Sequence, residues 1–226
     1  MNIVAIIQAR MGSTRLPNKM MMHFHGFPIC EWVYKRVTKS KNLDSVVFAI
    51  PDDKNNNILE FYLNSLGANV VRGNEDDLVD RFYNAAHSVF ADRVVRVCAD
   101  NPLICPDEID RLINFFDSNE CDYAYNHIPN NNNYPDGLGA EICSIGTLDE
   151  IHKLSKDKDH REHLFNYILD NSFDYNVKTF DAPNSIAYPQ IKLDIDTMND
   201  YQKLLSYKFL IDMKAPEIIK TILKNN

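Results

Sequence analysis

Ile6 to Lys19 reads IIQARMGSTRLPNK, a short apolar strand that runs straight into a loop carrying Arg10, Arg15 and Lys19. Three cations in so short a loop suit a polyanion. Gly12, Ser13 and Thr14 between them are small enough for backbone amides and hydroxyls to approach phosphate oxygens. The competing reading is a polar surface loop whose cations merely pair with neighbouring acids. Position favours a ligand, because open parallel sheets bind at the carboxyl ends of their strands. Neither G-x-x-x-x-G-K-[ST] nor G-x-G-x-x-G occurs, so side-chain charge, more than a glycine cradle, is expected to hold the phosphates of a nucleoside triphosphate.

Outward from this loop, apolar β-branched runs alternate with helical periodicity. Strands are expected at residues 3–8, 46–50, 69–72 and 93–99, with helices at 30–38, 58–66, 78–90 and 106–118. That order predicts an α/β fold with a largely parallel sheet. Ile58, Leu59, Tyr62, Leu63 and Leu66 form an apolar stripe, with Gly67 as a stop signal. The rhythm then changes: a strand at 122–126, a mobile Asn-rich loop at 130–133, and a turn at 134–141, YPDGLGAE. Helices at 147–155 and 161–171, strands at 175–180 and 191–195, and helices at 198–209 and 215–224 complete the reading.

With 226 residues and 45% hydrophobic content, the chain can build one sizeable core. A formal net charge of -8 excludes a broad basic face of the kind that non-specific nucleic-acid binding requires. No apolar run is long enough to span a bilayer and no leader-like N-terminus is present, so a cytoplasmic protein without membrane insertion is expected. Cys30, Cys98, Cys105, Cys121 and Cys143 lack a C-x-x-C pair and read as reduced thiols. His160 and His163 lie three apart on an expected helix without a third ligand nearby in sequence, and read as surface or substrate-rim residues.

A triphosphate also calls for a divalent cation, usually magnesium, which binds carboxylates and phosphate oxygens together. The segment 191–197, IKLDIDT, places Asp194 and Asp196 on one face of an expected strand. Two like charges side by side repel unless a cation or water separates them; an exposed edge strand is the alternative. Asp100 strengthens the metal reading, because the apolar strand before it delivers it to a carboxyl end and Pro102 fixes the turn beyond.

IIQARMGSTRLPNK, VRGNEDDLVDRF (71–82), CADNPLICP (98–106), PDGLGAE and LDIDT together resemble the cytidylyltransferases of sugar activation, in order and spacing over nearly the whole chain. The spore-coat polysaccharide and acylneuraminate branch is the nearer likeness, and 3-deoxy-manno-octulosonate cytidylyltransferases the more distant. The resemblance implies a three-layer nucleotidyltransferase fold, Rossmann-like and GT-A-like, in one domain over residues 1–226, with about 120–190 as a sugar-binding or dimerisation elaboration. It implies CTP over the first loop, contacted by Gln8, Ala9, Arg10, Met11, Gly12, Ser13, Arg15 and Lys19. Arg72, Asp77 and Arg81 would lie near the nucleoside. Asp100, Asp194 and Asp196 would hold Mg2+, with Arg15, Lys19 and Asp100 catalytic. Asn101, Asp136, Glu141, Arg161 and His163 would line the sugar pocket or a homodimer wall. The octulosonate enzymes carry Gln and Gly where this chain has Cys98 and Ala99, so the contact made there is not carried over.

The reaction implied is attack of a sugar hydroxyl on the α-phosphorus of CTP, giving a CMP-sugar and pyrophosphate for surface polysaccharide or glycan synthesis. The sugar expected is sialic-acid-like or another ulosonic acid. Two rivals are a metal-dependent GT-A-type glycosyltransferase, which also uses an Asp-x-Asp, and a nucleotide-binding partner subunit without catalysis.

Overall fold

The computed structural model describes residues 1–225. Strand β1 (Ile3–Gln8) leads through a 3-10 turn at Lys19–Met21 and a tight hairpin, β2 (His23–Phe24) and β3 (Phe27–Pro28), into helix α1 (Ile29–Val37). Then come β4 (Ser45–Pro51), α2 (Asn57–Ser65), β5 (Asn69–Gly73), α3 (Leu78–Ser88), β6 (Arg93–Cys98) and α4 (Pro106–Ser118). Each of these helices is a crossover between parallel strands, which is the connection a parallel sheet demands. Beyond them, β7 (Tyr123–Tyr125), β8 (Glu141–Ser144) and β9 (Val177–Thr179) extend the same sheet, while α5 (Ile145–Leu154), α6 (Lys158–Glu162), α7 (Asn166–Asp170), α8 (Met198–Leu205) and α9 (Ala215–Leu223) pack around it.

The seven-stranded sheet runs in the order β5-β4-β1-β6-β8-β7-β9. β1 pairs in parallel with both β4 and β6, and β8 is antiparallel to β6. Alternate residues of β1 enter two separate cores. Ile3, Ala5 and Ile7 join Trp32, Leu112 and Ile218 on one face, and Val4 and Ile6 join Phe82, Ala85 and Leu148 on the other. A strand covered on both faces reads as a continuous apolar run, which is why this one was easy to recognise. The result is the three-layer α/β fold expected. Among the described residues, no helix is long and apolar enough to cross a membrane.

Several expected elements differ. The helix at 161–171 is two short helices, because His163 is extended (φ -124°, ψ 102°) and ends α6. Residues 191–195 form no strand; a single bridge joins Lys192 to Asp136. Their backbone is bound instead by two loops, with Leu193 N–H donating to Asp136 O and Ile195 N–H to Asp100 O. The Asn-rich loop is anchored: Asn132 is buried, its amide donates to Thr179 Oγ1, and its Oδ1 accepts from Tyr134 N–H. In α2 only Leu59 and Leu63 of the predicted stripe are buried, Ile58 is exposed, and Leu66 lies just past the helix end. β8 was not expected, since its four residues EICS follow a turn signal and mix polar with apolar character. The strand expected at 175–180 shortens to β9, and the helix at 198–209 stops at Leu205.

Candidate active site

The loop after β1 is a fixed structure. Met11 and Leu16 point into the core, and Met11 N–H donates to the buried Asn56 Oδ1 at 2.9 Å. Within the loop Ser13 N–H donates to Met11 O, and Leu16 N–H to Ser13 Oγ at 3.2 Å. Asn18 takes a left-handed conformation (φ 59°) that turns the chain into the 3-10 helix carrying Lys19, a geometry Asn tolerates better than most residues.

Lys19 is the centre of the arrangement. Its side chain is 7% exposed, and Nζ lies 3.0 Å from Asp100 Oδ2, 3.8 Å from Asp196 Oδ1 and 2.6 Å from Ile195 O. Arg15, 65% exposed, makes a two-pronged contact with Asp196 at 2.8 and 2.9 Å. The cationic loop and two of the acids therefore share one cleft of about 430 Å3 at the carboxyl end of β1 and β6. Gln8, Ala9, Arg10, Ser13, Arg81 and His163 line it as well. Arg10 lies 3.7 Å from Glu75, and Arg81 is buried with Nη1 donating to Asn74 O. Burial first, and the nearby Arg10 charge second, pull the Arg81 guanidinium down to about 10.

Other expected site residues stand outside the cleft lining. Met11 serves as an anchor, and Gly12 packs beside Glu75 with Oε1 3.3 Å from where a Cβ would stand. Arg72 on β5 is engaged by Asp52, Asn57 and Glu60. Asp77 caps α3 and is gripped by Arg161 at 2.5 and 2.9 Å, so this pair docks α6 against α3. His163, just after α6, consequently reaches the cleft. Asn101 is buried beneath the turn at Gly137, and Glu141 is buried on β8 against Arg96. Burial alone would raise Glu141, but Arg96, His127 and Tyr123 hold it below the usual carboxylate range.

Asp194 was expected beside Asp100 and Asp196. Lys192 Nζ stands between it and Asp196, 3.3 Å from Asp194 Oδ2 and 3.7 Å from Asp196 Oδ2, and Asp194 Oδ1 is buried with no hydrogen-bond partner among the described residues. Burial first, then the Asp136 charge, push its carboxyl up to about 6. No three His, Cys, Asp or Glu side chains among the described residues are grouped to hold a metal. Asp100 and Asp196, both on Lys19, are the pair in the cleft that could do so together with ligand oxygens. One or two carboxylates completed by substrate phosphates is the usual protein share of a magnesium site.

Sequence reasoning missed Met20, Glu75, Asp76, Leu78, Arg96 and Glu162 in the cleft wall. Glu75, Asp76 and Leu78 lie within the stretch VRGNEDDLVDRF, and Arg96 stands as a single charge inside the apolar run VVRVC.

The chain matches the family model described as cytidylyltransferase over residues 4–224. It is 32% identical over 234 residues to the spore coat polysaccharide biosynthesis protein SpsF of Bacillus subtilis, covering 100% of this chain and 95% of the relative. Among solved structures, a cytidylyltransferase from Leptospira borgpetersenii superposes with a TM-score of 0.90 at 29% identity, covering 100% of this chain and 95% of that one. A CMP:2-keto-3-deoxy-manno-octonic acid synthetase complexed with CTP shares the fold, with a TM-score of 0.70 at 20% identity over 91% of this chain and 98% of that one. The loop of cations closed over two acids at the end of a parallel sheet is thus carried by a chain that belongs to the cytidylyltransferase family.

Proposed function

We propose that this cytidylyltransferase transfers CMP from CTP to a hydroxyl of a sugar acid, a sialic-acid-like or other ulosonic acid, for surface polysaccharide or glycan synthesis. The observation that carries the reading is the convergence of Arg15 and Lys19 on Asp100 and Asp196 in one cleft. The acceptor hydroxyl attacks the α-phosphorus in line, its oxygen–phosphorus bond forms, the α–β bridging bond breaks, and pyrophosphate departs as the hydroxyl proton is released. Little covalent work is asked of the protein, so positioning and charge neutralisation dominate.

Arg10, Ser13 and Arg15 bind the triphosphate, and Arg15 steadies the pyrophosphate as negative charge gathers on it. Lys19, held from below by Ile195 O, keeps Asp100 and Asp196 together and offers charge to the phosphates. Asp100 and Asp196 would hold Mg2+, which supplies charge neutralisation at the α-phosphate when bound. Arg81 and the Arg10–Glu75 pair border the nucleoside side, and His163 the rim. The same reading places the enzyme in the cytoplasm as a homodimer.

The experiment that tests it is pyrophosphate release with each nucleoside triphosphate against a panel of ulosonic acids and neutral sugars, with and without magnesium. CTP with an ulosonic acid and magnesium is expected to give the fastest release. Consumption of a nucleotide-sugar without any pyrophosphate from CTP would replace this reading with a glycosyltransferase.

A further inference from the structure

The segment 192–196, KLDID, alternates charged and apolar side chains. Leu193 and Ile195 are fully buried, and Lys192, Asp194 and Asp196 share the other side, as a period of two places them. A cation therefore rides on the same run as the two acids. Lys192 Nζ lies 3.3 Å from Asp194 Oδ2, 3.7 Å from Asp196 Oδ2 and 3.3 Å from Asp200 Oδ2. Neighbouring carboxylates repel unless a positive charge stands between them. Here that charge is an ammonium supplied by the chain itself.

The third of these contacts fixes it there. Asp200 caps α8, accepting from Thr197 N–H and Thr197 Oγ1 at 2.8 Å and from Asp196 N–H at 3.2 Å. Lys192 is thus tied to a helix cap as well as to the acids of its own segment. Those two acids have different surroundings. Asp196 lines the cleft with Arg15, Lys19 and Asp100, whereas neither Asp194 nor Lys192 does. Asp194 Oδ1 is closed off from solvent, and the turn at Gly137 packs so closely that a Cβ there would stand 2.9 Å from Asp194 N. Magnesium keeps several waters and takes phosphate oxygens besides one or two carboxylates. Asp194 Oδ1 cannot join such a shell, and Oδ2 is on Lys192; Asp196, on the open side, can. Nor is Lys192 placed as one more phosphate contact, because Arg15 and Lys19 line the cleft and it does not.

We propose that Lys192 is the positioning residue of this Asp-x-Asp segment. It takes a cation's place between Asp194 and Asp196, withholds Asp194 from the metal, and leaves Asp196 with Asp100 as the protein's share of the magnesium site. The assignment rests on the reading above that Asp100 and Asp196 hold the metal.

The test replaces magnesium by Mn2+, whose anomalous scattering locates each ion in crystals grown with CTP. In solution it reads the rise in unfolding midpoint that Mn2+ gives at a fixed CTP concentration. Asp196→Asn is expected to lose the ion, with Mn2+ affinity down by about tenfold or more, since even an outer-shell partner is worth that. An Asp196→Asn protein that responds to Mn2+ as wild type does would overturn the metal reading itself. Asp194→Asn is expected to keep both the ion and the full midpoint rise. Lys192→Met uncovers the two acids, so Mn2+ should raise its midpoint by more than that of wild type, with an added ion between Asp194 and Asp196. Both changes should vanish in the Lys192→Met/Asp194→Asn double variant and be absent from Lys192→Arg, which keeps the charge. Asp194 among the Mn2+ ligands of wild type, or a midpoint rise lost in Asp194→Asn, would overturn the assignment and leave the metal reading standing. So would a Lys192→Met protein that binds CTP more weakly and gains no ion, which would make Lys192 a phosphate contact. The Asp194→Asn result decides the matter whether or not Lys192→Met folds.

Discussion

At the scale of single residues, Arg15 and Lys19 reach the same acid from very different settings. Arg15 is largely in water, so its pair with Asp196 adds little to stability. Arg15→Ala is expected to slow pyrophosphate release about 10- to 100-fold, the loss of one charge-assisted bond in the transition state, while thermal unfolding stays where it was. Turnover equal to wild type would remove the loop from catalysis. Lys19 is buried between Asp100 and Asp196, and its removal leaves two carboxylates facing each other and Ile195 O without its donor. Lys19→Met should therefore unfold at a lower temperature as well as lose activity. Added magnesium should raise the midpoint of this variant more than that of wild type, because a cation between the two acids replaces the missing ammonium. Equal shifts in the two proteins would argue that Asp100 and Asp196 do not share a metal. Arg15, Lys19 and Asp100 were legible in the sequence because each stands where an apolar strand gives way to a loop. Arg96 was not, because its meaning lies in a partner on another strand, Glu141, 45 residues on.

At the scale of elements, the parallel strands and crossover helices were legible because both faces of the sheet are covered and their apolar runs are unbroken. The region after α4 was not, because its backbone is satisfied by long-range contacts that no local period records. The predicted turn at 134–141 illustrates this. It acts as a spacer that places Glu141 on β8, with Asn126 bonded through Oδ1 to Ala140 N–H and through its amide to Glu108 O. A Cβ at Gly139 would stand 2.2 Å from both Asn126 O and Asn126 Oδ1. Backbone on one side of that contact cannot yield cheaply, so Gly139→Ala should cost about 1–3 kcal/mol of stability, as overpacked cores do. Urea unfolding measures it. A variant as stable as wild type would mean that the β7–β8 connection is looser than the hydrogen bonds on Asn126 imply. Likewise, the segment bearing Asp194 and Asp196 alternates like a strand yet is held by Asp136 O and Asp100 O. Its position is set by the loops that carry the site's other acids.

Across the whole molecule, one buried cation joins parts of the chain that the sequence gives no reason to connect. Arg36 on α1 is 1% exposed and donates to Ile104 O at 2.6 Å, Ile211 O at 2.8 Å and Met213 O at 3.0 Å. These carbonyls belong to the loop between β6 and α4, which also carries Asp100, and to the approach to α9. Both are irregular backbone, where buried carbonyls have no ladder to satisfy them, and a guanidinium with its fan of donors serves several at once. Helical periodicity shows only that Arg36 lies near the end of α1, where a cation is ordinary. Arg36→Met would keep the bulk and strip the donors, leaving the buried Ile104 O and the part-buried Ile211 O and Met213 O without their partner, at a cost of roughly 1 to 3 kcal/mol for the buried one alone. Against a total stability of about 5–15 kcal/mol for an ordinary domain, that change should lower the urea midpoint sharply. Because the same loop delivers Asp100 to the cleft, activity at low temperature should fall in the folded fraction too. A variant that unfolds with the wild-type midpoint would show that water replaces the guanidinium, and would separate the C-terminal packing from the placement of the acid.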